Sequence, residues 1–107
     1  MSPQRPKCKV TVLKRTIHKD LIDEYVDPDR EINLCEIFSD GQEFIIDDPF
    51  PLQTPKGFCP WAWADIRSDL VMLVSGGNVP WMKQNGTVIT GCTDWLRPVI
   101  FKIERID

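Results

Sequence analysis

The chain has 107 residues, a length typical of one domain, with 42% hydrophobic and 27% charged residues. A net charge of -3 argues against binding to the nucleic acid backbone, which requires a basic surface. No apolar run approaches the roughly 20 residues that span a bilayer. The polar first residues do not resemble a signal peptide. We therefore predict a cytoplasmic protein with neither a nucleic acid nor a membrane as partner.

The first predicted elements are an arm, a strand and a short helix. Residues 1–6 are polar and contain two prolines, which predicts a disordered arm before a single domain over residues 7–107. Alternating apolar side chains predict a half-buried strand over Cys8–Leu13. A short helix is predicted over His18–Tyr25. The aspartates and the proline that follow Tyr25 are predicted to end it.

A second strand and the main helix are predicted next. The strand covers Gln42–Ile46, and the three prolines of Asp47–Gly57 indicate a long loop. Apolar residues at helical spacing predict a helix over Pro60–Val74. Proline suits the first helical position, which makes Cys59 the predicted N-cap. The glycines after Ser75 are suited to the left-handed conformation that often ends a helix.

The last third of the chain is predicted to form two more strands, over Thr87–Thr90 and Pro98–Ile106, joined by a turn over Cys92–Leu96. Before them, Val79–Met82 reads as an exposed apolar loop. The order β-α-β-α-β-β indicates an α+β fold. Its predicted form is a mostly antiparallel sheet or partial barrel of about four strands, packed with one main helix and one short helix.

The cysteines occur singly along the chain, so neither a disulfide framework nor a four-cysteine zinc site is indicated. Cys59 is the strongest candidate for a reactive residue. Free N–H groups at a helix N-terminus stabilise a thiolate, which can attack an electrophile or bind a soft metal. The alternative is that this thiol only caps the helix or packs.

The tryptophans are the second candidate set. Trp63 lies on the apolar stripe of the main helix and is predicted to be core. Trp61, Trp81 and Trp95 lie off that stripe and are predicted to shape a pocket, because flat indole faces suit planar organic ligands. The alternative is that these large aromatic side chains stiffen a small core.

Two acidic residues are candidate acids or bases. Asp65 could titrate as an acid or base if it is buried, or could simply complement the dipole of the helix. Asp94 could pair with Arg97 and fix the turn, or Arg97 could instead hold a substrate carboxylate. Cys92 and Thr93 belong to the same turn.

Three stretches together resemble a family of small, uncharacterised single-domain proteins common in anaerobic prokaryotes: Asp40–Phe44, Gly57–Asp65 (GFCxWAWxD) and Cys92–Arg105 (CTDxLRPVxFKIER). The likeness covers the chain from Lys7 onward, but it implies little about chemistry because the activity of that family is not established. The family tends to carry a cysteine pair at Gly91-Cys92 and a glycine at Trp95. The two differences favour a pocket for an organic ligand over a shared metal or dithiol site.

The sequence thus predicts a small-molecule enzyme without a large cofactor, acting on an apolar or aromatic compound by acid–base or thiol-assisted rearrangement, of isomerase, cyclase or lyase type. Cys59 is its predicted nucleophile or proton donor, with Asp65 or Asp94 as acid–base partner. The predicted substrate-binding residues are Trp61, Trp81, Cys92, Thr93, Trp95 and Arg97. Two alternatives stay open: a metal-binding or accessory module using Cys35, Cys59 and Cys92, and an oligomeric interaction protein that buries Val79–Met82.

Overall fold

The computed structural model describes residues 6–50 and 54–106. Residues 1–5, most of the predicted arm, lie outside the described residues. All the predicted strands and helices are present, and the main helix has the predicted bounds. The elements are β1 (Lys7–Arg15), α1 (Lys19–Tyr25), β2 (Glu43–Ile46), α2 (Pro60–Val74), β3 (Thr87–Gly91) and β4 (Val99–Ile106).

The strands form one open antiparallel sheet in the order β2-β1-β4-β3, with the two helices outside it. The predicted α+β class is therefore confirmed, in its open-sheet form. β1 and β4 are central, and a bulge at Leu13 shifts their register between Val12 and Lys14. Because side chains alternate along a strand, each central strand turns one set of apolar residues to the core. The fully buried members are Cys8, Val10, Val12, Val99, Phe101 and Ile103.

Helix α2 covers one face of the sheet and packs on β1, β3 and β4. Its buried residues recur at helical spacing: Ala62, Trp63, Ile66, Leu70, Leu73 and Val74. Burying one leucine of this kind contributes about 2 kcal/mol. Gly76 ends the helix with a φ of 92°, a left-handed conformation that glycine adopts without steric strain.

A cluster of phenylalanines joins the loops to this core. The ring centroid of Phe38 lies 5.0 Å from that of Phe58 and 5.2 Å from that of Phe101, in edge-to-face contact. The Phe58 ring stacks on Phe101 at 5.7 Å. Edge-to-face and offset-stacked rings are favourable aromatic geometries. The cluster therefore fixes two chain segments on the sheet, the one before Phe38 and the one that leads into α2.

Helix α1 lies on the surface and contributes no buried residue. The segment before it is tied to the turn between β3 and β4. The backbone N–H and hydroxyl of Thr16 donate to the carbonyl oxygen of Pro98 at 3.0 and 2.6 Å, and the N–H of His18 donates to that of Leu96 at 2.8 Å. Within residues 6–50 and 54–106, no helix has the length and apolar character needed to cross a membrane.

Candidate functional site

A cavity of about 550 Å³ opens beside the N-terminal end of α2. Three parts of the chain enclose it: the start of α2, the turn between β3 and β4, and the segment that ends at Phe38. Its lining is mostly apolar, with three thiols and a few polar side chains. The lining residues are Cys35, Ile37, Phe38, Cys59, Trp61, Ala62, Cys92, Thr93, Asp94, Trp95, Leu96, Arg97 and Val99.

The turn between β3 and β4 is built around Asp94. One carboxylate oxygen of Asp94 accepts hydrogen bonds from the backbone N–H groups of Leu96 and Arg97, at 3.2 and 3.3 Å. The other accepts from Nε of Arg97 at 3.1 Å. Arg97 also donates from Nη1 to the carbonyl oxygen of Asn33 at 3.2 Å. Of the two alternatives for this pair, the structure contains the ion pair that fixes the turn.

Thr93 connects this turn to α2. Its backbone N–H donates to Oδ2 of Asp65 at 2.7 Å, and its hydroxyl lies 3.0 and 3.1 Å from the two carboxylate oxygens. The indole Nε1 of Trp61 donates to the same hydroxyl at 2.8 Å. A hydroxyl can accept one bond while donating another, so Trp61, Thr93 and Asp65 form a continuous chain. Asp65 holds the turn against α2, and its side chain is not among those that line the cavity.

The three thiols of the cavity have different surroundings. Cys59 is the N-cap of α2, as predicted, but its sulfur makes no capping hydrogen bond. The sulfur of Cys92 accepts from the backbone N–H of Val99 at 3.3 Å. The Cys35 carbonyl accepts from Nη1 of Arg15 at 3.1 Å. Among the described residues, the sulfur of Cys92 therefore has a hydrogen-bond partner, whereas the sulfurs of Cys59 and Cys35 have none.

Arg15 also binds Asp40 and so braces the wall that contains Cys35. Oδ1 of Asp40 accepts from the backbone N–H of Arg15 at 3.0 Å and from its Nε at 3.1 Å. These hydrogen bonds, first the backbone one and then the side-chain one, hold the pKa of Asp40 below its ordinary value of 3.8. Since Arg15 contacts both residues, the charge of Asp40 helps to fix this wall.

The cavity thiols are not grouped as metal ligands in the described residues. In the described part of the chain, no group of three or more His, Cys, Asp or Glu side chains is placed to hold a metal ion. The alternative based on Cys35, Cys59 and Cys92 therefore has no support from this geometry, although all three line one cavity. The cysteines are free thiols.

The backbone at Gly91 leaves no room for a side chain. A Cβ atom at this position would lie 2.8 Å from the carbonyl oxygen of Val99. That distance is too short for a non-bonded contact, so any side chain here would displace β4. A cysteine pair over residues 91–92 would thus need a different strand geometry.

The four indoles divide into three environments. Trp61 and Trp95 line the cavity and are 66% and 72% exposed, so their faces are open to a ligand. Trp63 is buried in the core, as predicted. Trp81 lies in the loop that follows the opposite end of α2 and is not among the lining residues, so the structure does not bring it to the other candidates.

A second cavity, of about 580 Å³, runs along another face of α2. Arg67 lies beside it and donates to the carbonyl oxygens of Pro49 and Phe50, which fastens the proline-rich loop to the helix. None of the predicted site residues lines this cavity.

Two cavity segments were not singled out from the sequence. Ile37 and Phe38 precede β2, and Leu96 lies inside the turn. The apolar character of the Leu34–Phe38 stretch was the only available signal. Its position depends on the ring contacts of Phe38, which join residues far apart in the chain.

Comparison with family models, with curated proteins and with solved structures finds no match to this chain. The resemblance based on Gly57–Asp65 and Cys92–Arg105 therefore stays a prediction.

Proposed function

We propose that the cavity binds a small, apolar or aromatic organic compound and that the protein is an enzyme that rearranges it by thiol-assisted chemistry. The observation that carries this proposal is that Cys59 and the exposed indoles of Trp61 and Trp95 line the same cavity. Its volume of about 550 Å³ falls within the range of small-molecule sites. Mostly apolar walls with a few polar groups are typical of such sites.

The charges at the cavity favour a neutral ligand. Arg97 and Asp94 pair at 3.1 Å, so their charges largely offset each other. Asp65 is held by Thr93 and does not reach the lining. An anionic substrate would have to compete with Asp94 for the guanidinium. The geometry therefore supports a neutral compound more than the carboxylate considered from the sequence.

The same contacts favour a thiol over a carboxylate as the reacting group. Asp65 and Asp94 are both engaged in hydrogen bonds that hold the turn. Cys59 has no such bond from its sulfur. A thiol can add to an electrophilic alkene carbon through its thiolate: a sulfur–carbon bond forms, the double bond opens, and the proton that left the thiol goes to the neighbouring carbon. Rotation and reversal of these steps give an isomerised product with no net redox change, so no redox cofactor is consumed.

An aromatic electrophile tests binding and thiol chemistry together. The adduct rates of N-phenylmaleimide and N-ethylmaleimide are measured at each cysteine by mass spectrometry over a range of reagent concentrations. We expect the rate at Cys59 to saturate with N-phenylmaleimide and to exceed the N-ethylmaleimide rate by about tenfold, because the phenyl ring first binds between the indoles. Cys8 is an internal control, because it is fully buried and burial raises the pKa of its thiol against a smaller lowering by Arg105.

Two matched variants locate the binding site. Trp95→Ala removes an exposed indole of the cavity, whereas Trp81→Ala removes an even more exposed indole outside it. We expect the first to abolish saturation and the second to leave it unchanged. Equal rates for the two maleimides, rising linearly with concentration, would show that Cys59 meets reagents without a binding site and would overturn the proposal.

A further inference from the structure

The two edges of the sheet differ in how they are protected. Edge strand β2 carries Glu43, which pairs with Lys9 at 3.3 Å, and Asp47 just beyond it pairs with Lys7 at 3.5 Å. Charges of this kind discourage a second strand from adding to an edge. Edge strand β3 has the sequence Thr-Val-Ile-Thr-Gly, with neither a charge nor a proline, and its Ile89 is 45% exposed. Such a strand is a template for pairing.

The hydrogen-bond pattern shows which backbone groups β3 leaves open. The N–H of Arg105 donates to the Gly86 carbonyl at 2.7 Å, and the N–H of Cys92 donates to that of Val99 at 3.1 Å. Bonded and non-bonded pairs alternate along an antiparallel ladder. With the observed register, Val88 and Thr90 thus face β4, while the N–H and C=O groups of alternate residues point outward. The outward residues are Thr87, Ile89 and Gly91.

We propose that two copies of this chain pair through β3, antiparallel, with Ile89 facing Ile89 on a two-fold axis. In this register Thr87 faces Gly91 of the second copy. Each pair exchanges two hydrogen bonds, so every outward N–H and C=O group of both strands is satisfied. The two four-stranded sheets become one continuous sheet of eight strands. A second copy is the occupant that this edge fits, because the outward pattern is self-complementary and no like charges meet within the paired strands.

The paired region is short, with only five residues in β3. An interface of this size falls in the class of weak, concentration-dependent associations. We therefore expect a dissociation constant in the micromolar range, with monomers dominant in dilute solution. The proposed association rests on the open edge of β3 and does not use the cavity, so the failure of one proposal would leave the other intact.

Sedimentation equilibrium over a range of protein concentrations tests the proposal with two matched variants. Ile89→Glu places a carboxylate on the two-fold axis, where it meets its own copy, and within its own sheet it faces Lys102. Ile45→Glu is the control, since Ile45 is an exposed isoleucine on the other edge strand and also faces a lysine, Lys9. We expect Ile89→Glu to weaken association by about tenfold or more and Ile45→Glu to leave it unchanged.

Amide hydrogen exchange identifies the bonds themselves. At high protein concentration the N–H groups of Thr87, Ile89 and Gly91 become protected, and on dilution they lose this protection. The N–H groups of Val88 and Thr90 stay protected at every concentration, because they bond to β4 within one chain. A chain that is monomeric at all concentrations, or a dimer whose outward β3 amides exchange freely, would overturn the proposal. Equal weakening by the two glutamate variants would also contradict it.

Discussion

The two ends of α2 are held in different ways. At the C-terminal end, Nη1 of Arg105 donates to the carbonyl oxygens of Leu73 and Gly77, each at 2.8 Å, and Nη2 donates to the Asn78 side chain at 2.9 Å. At the N-terminal end, two side chains of the helix, Trp61 and Asp65, bond to Thr93 in the turn between β3 and β4. One end is closed by a guanidinium, whereas the other borders a cavity.

The difference separates a structural end of the helix from a candidate functional end. The last carbonyl groups of a helix carry partial negative charge and lack partners within the helix, so a guanidinium there stabilises the helix directly. At the other end, no side chain of the described residues caps the first N–H groups, and Cys59 occupies the N-cap position without a capping bond from its sulfur. We expect substitutions at the C-terminal end to change mainly stability, and those at the N-terminal end to change mainly reactivity.

Arg105→Met tests the structural end and has the largest expected effect. The change keeps much of the apolar stem but removes the hydrogen bonds that the guanidinium makes to Leu73, Gly77 and Asn78. We expect the free energy of unfolding to fall by about 3 kcal/mol, because hydrogen bonds from charged donors contribute about 1.5–3 kcal/mol each and are not fully additive. Urea denaturation measures this loss.

Arg30→Met is the matched control for that experiment. Arg30 is exposed, and its side chain makes no hydrogen bond or ion pair to the described residues. Its replacement should change the free energy of unfolding by less than about 0.5 kcal/mol. Equal losses in the two variants would mean that the Arg105 contacts add nothing to stability, and the comparison of the two helix ends would then fail.

Asp65→Asn tests the N-terminal end, with Asp69→Asn as the control on the same helix. Asp65 accepts from both the backbone and the hydroxyl of Thr93, whereas Asp69 makes no hydrogen bond to the described residues. We expect Asp65→Asn to lower the free energy of unfolding by about 1 kcal/mol, because an exposed network is partly replaced by water.

A double-mutant cycle with Thr93→Val shows whether this loss belongs to the pair. A coupling energy of at least about 0.5 kcal/mol between Asp65→Asn and Thr93→Val is expected, since the two residues are in direct contact. The adduct rate at Cys59 should change in both variants, because the turn that they loosen lines the cavity. Additive effects on stability, with no change in that rate, would show that the network does not shape the site.

Most of the fold followed from local patterns in the sequence. Alternation in Cys8–Leu13 and the apolar stripe in Pro60–Val74 each identify which side of an element faces the core, and the structure places those residues there. Pro60 indicated where the main helix begins. These signals act over a few residues, so one sequence was enough to interpret them.

The candidate site followed less completely, because its geometry depends on contacts between distant residues. Thr93 lies 28 positions from Asp65 and 32 from Trp61, and no spacing rule connects them. The same limit explains Trp81, which shares its residue type with the cavity indoles but lies after the other end of α2. The sequence offered Cys59 and the Cys92–Arg97 turn as candidate site residues, but only the fold brings them to one cavity.

The smallest expected effect is that acid destabilises the cavity wall around Cys35 and Asp40 before it destabilises the helix end that Arg105 holds. Hydrogen bonds from Arg15 lower the pKa of Asp40 in the folded protein. The Asp40 carboxylate therefore contributes its full stabilisation at a pH above 3.8, the ordinary pKa, and loses it as the pH falls through the lower pKa of the folded state. The acceptors of Arg105 are two carbonyl groups and an amide, none of which titrates in this range. Amide hydrogen exchange between about pH 6 and about pH 3, corrected for the intrinsic pH dependence of exchange, compares the two regions directly.

Protection around Cys35 and Asp40 should decline first, while that of Gly77 persists. In Asp40→Asn the early decline should be absent, because the charge it depends on is already missing, whereas the exposed control Asp23→Asn should behave like the wild type. If both ends lose protection together in the wild type, Asp40 does not brace the wall of the cavity, and the acid response belongs to the whole fold.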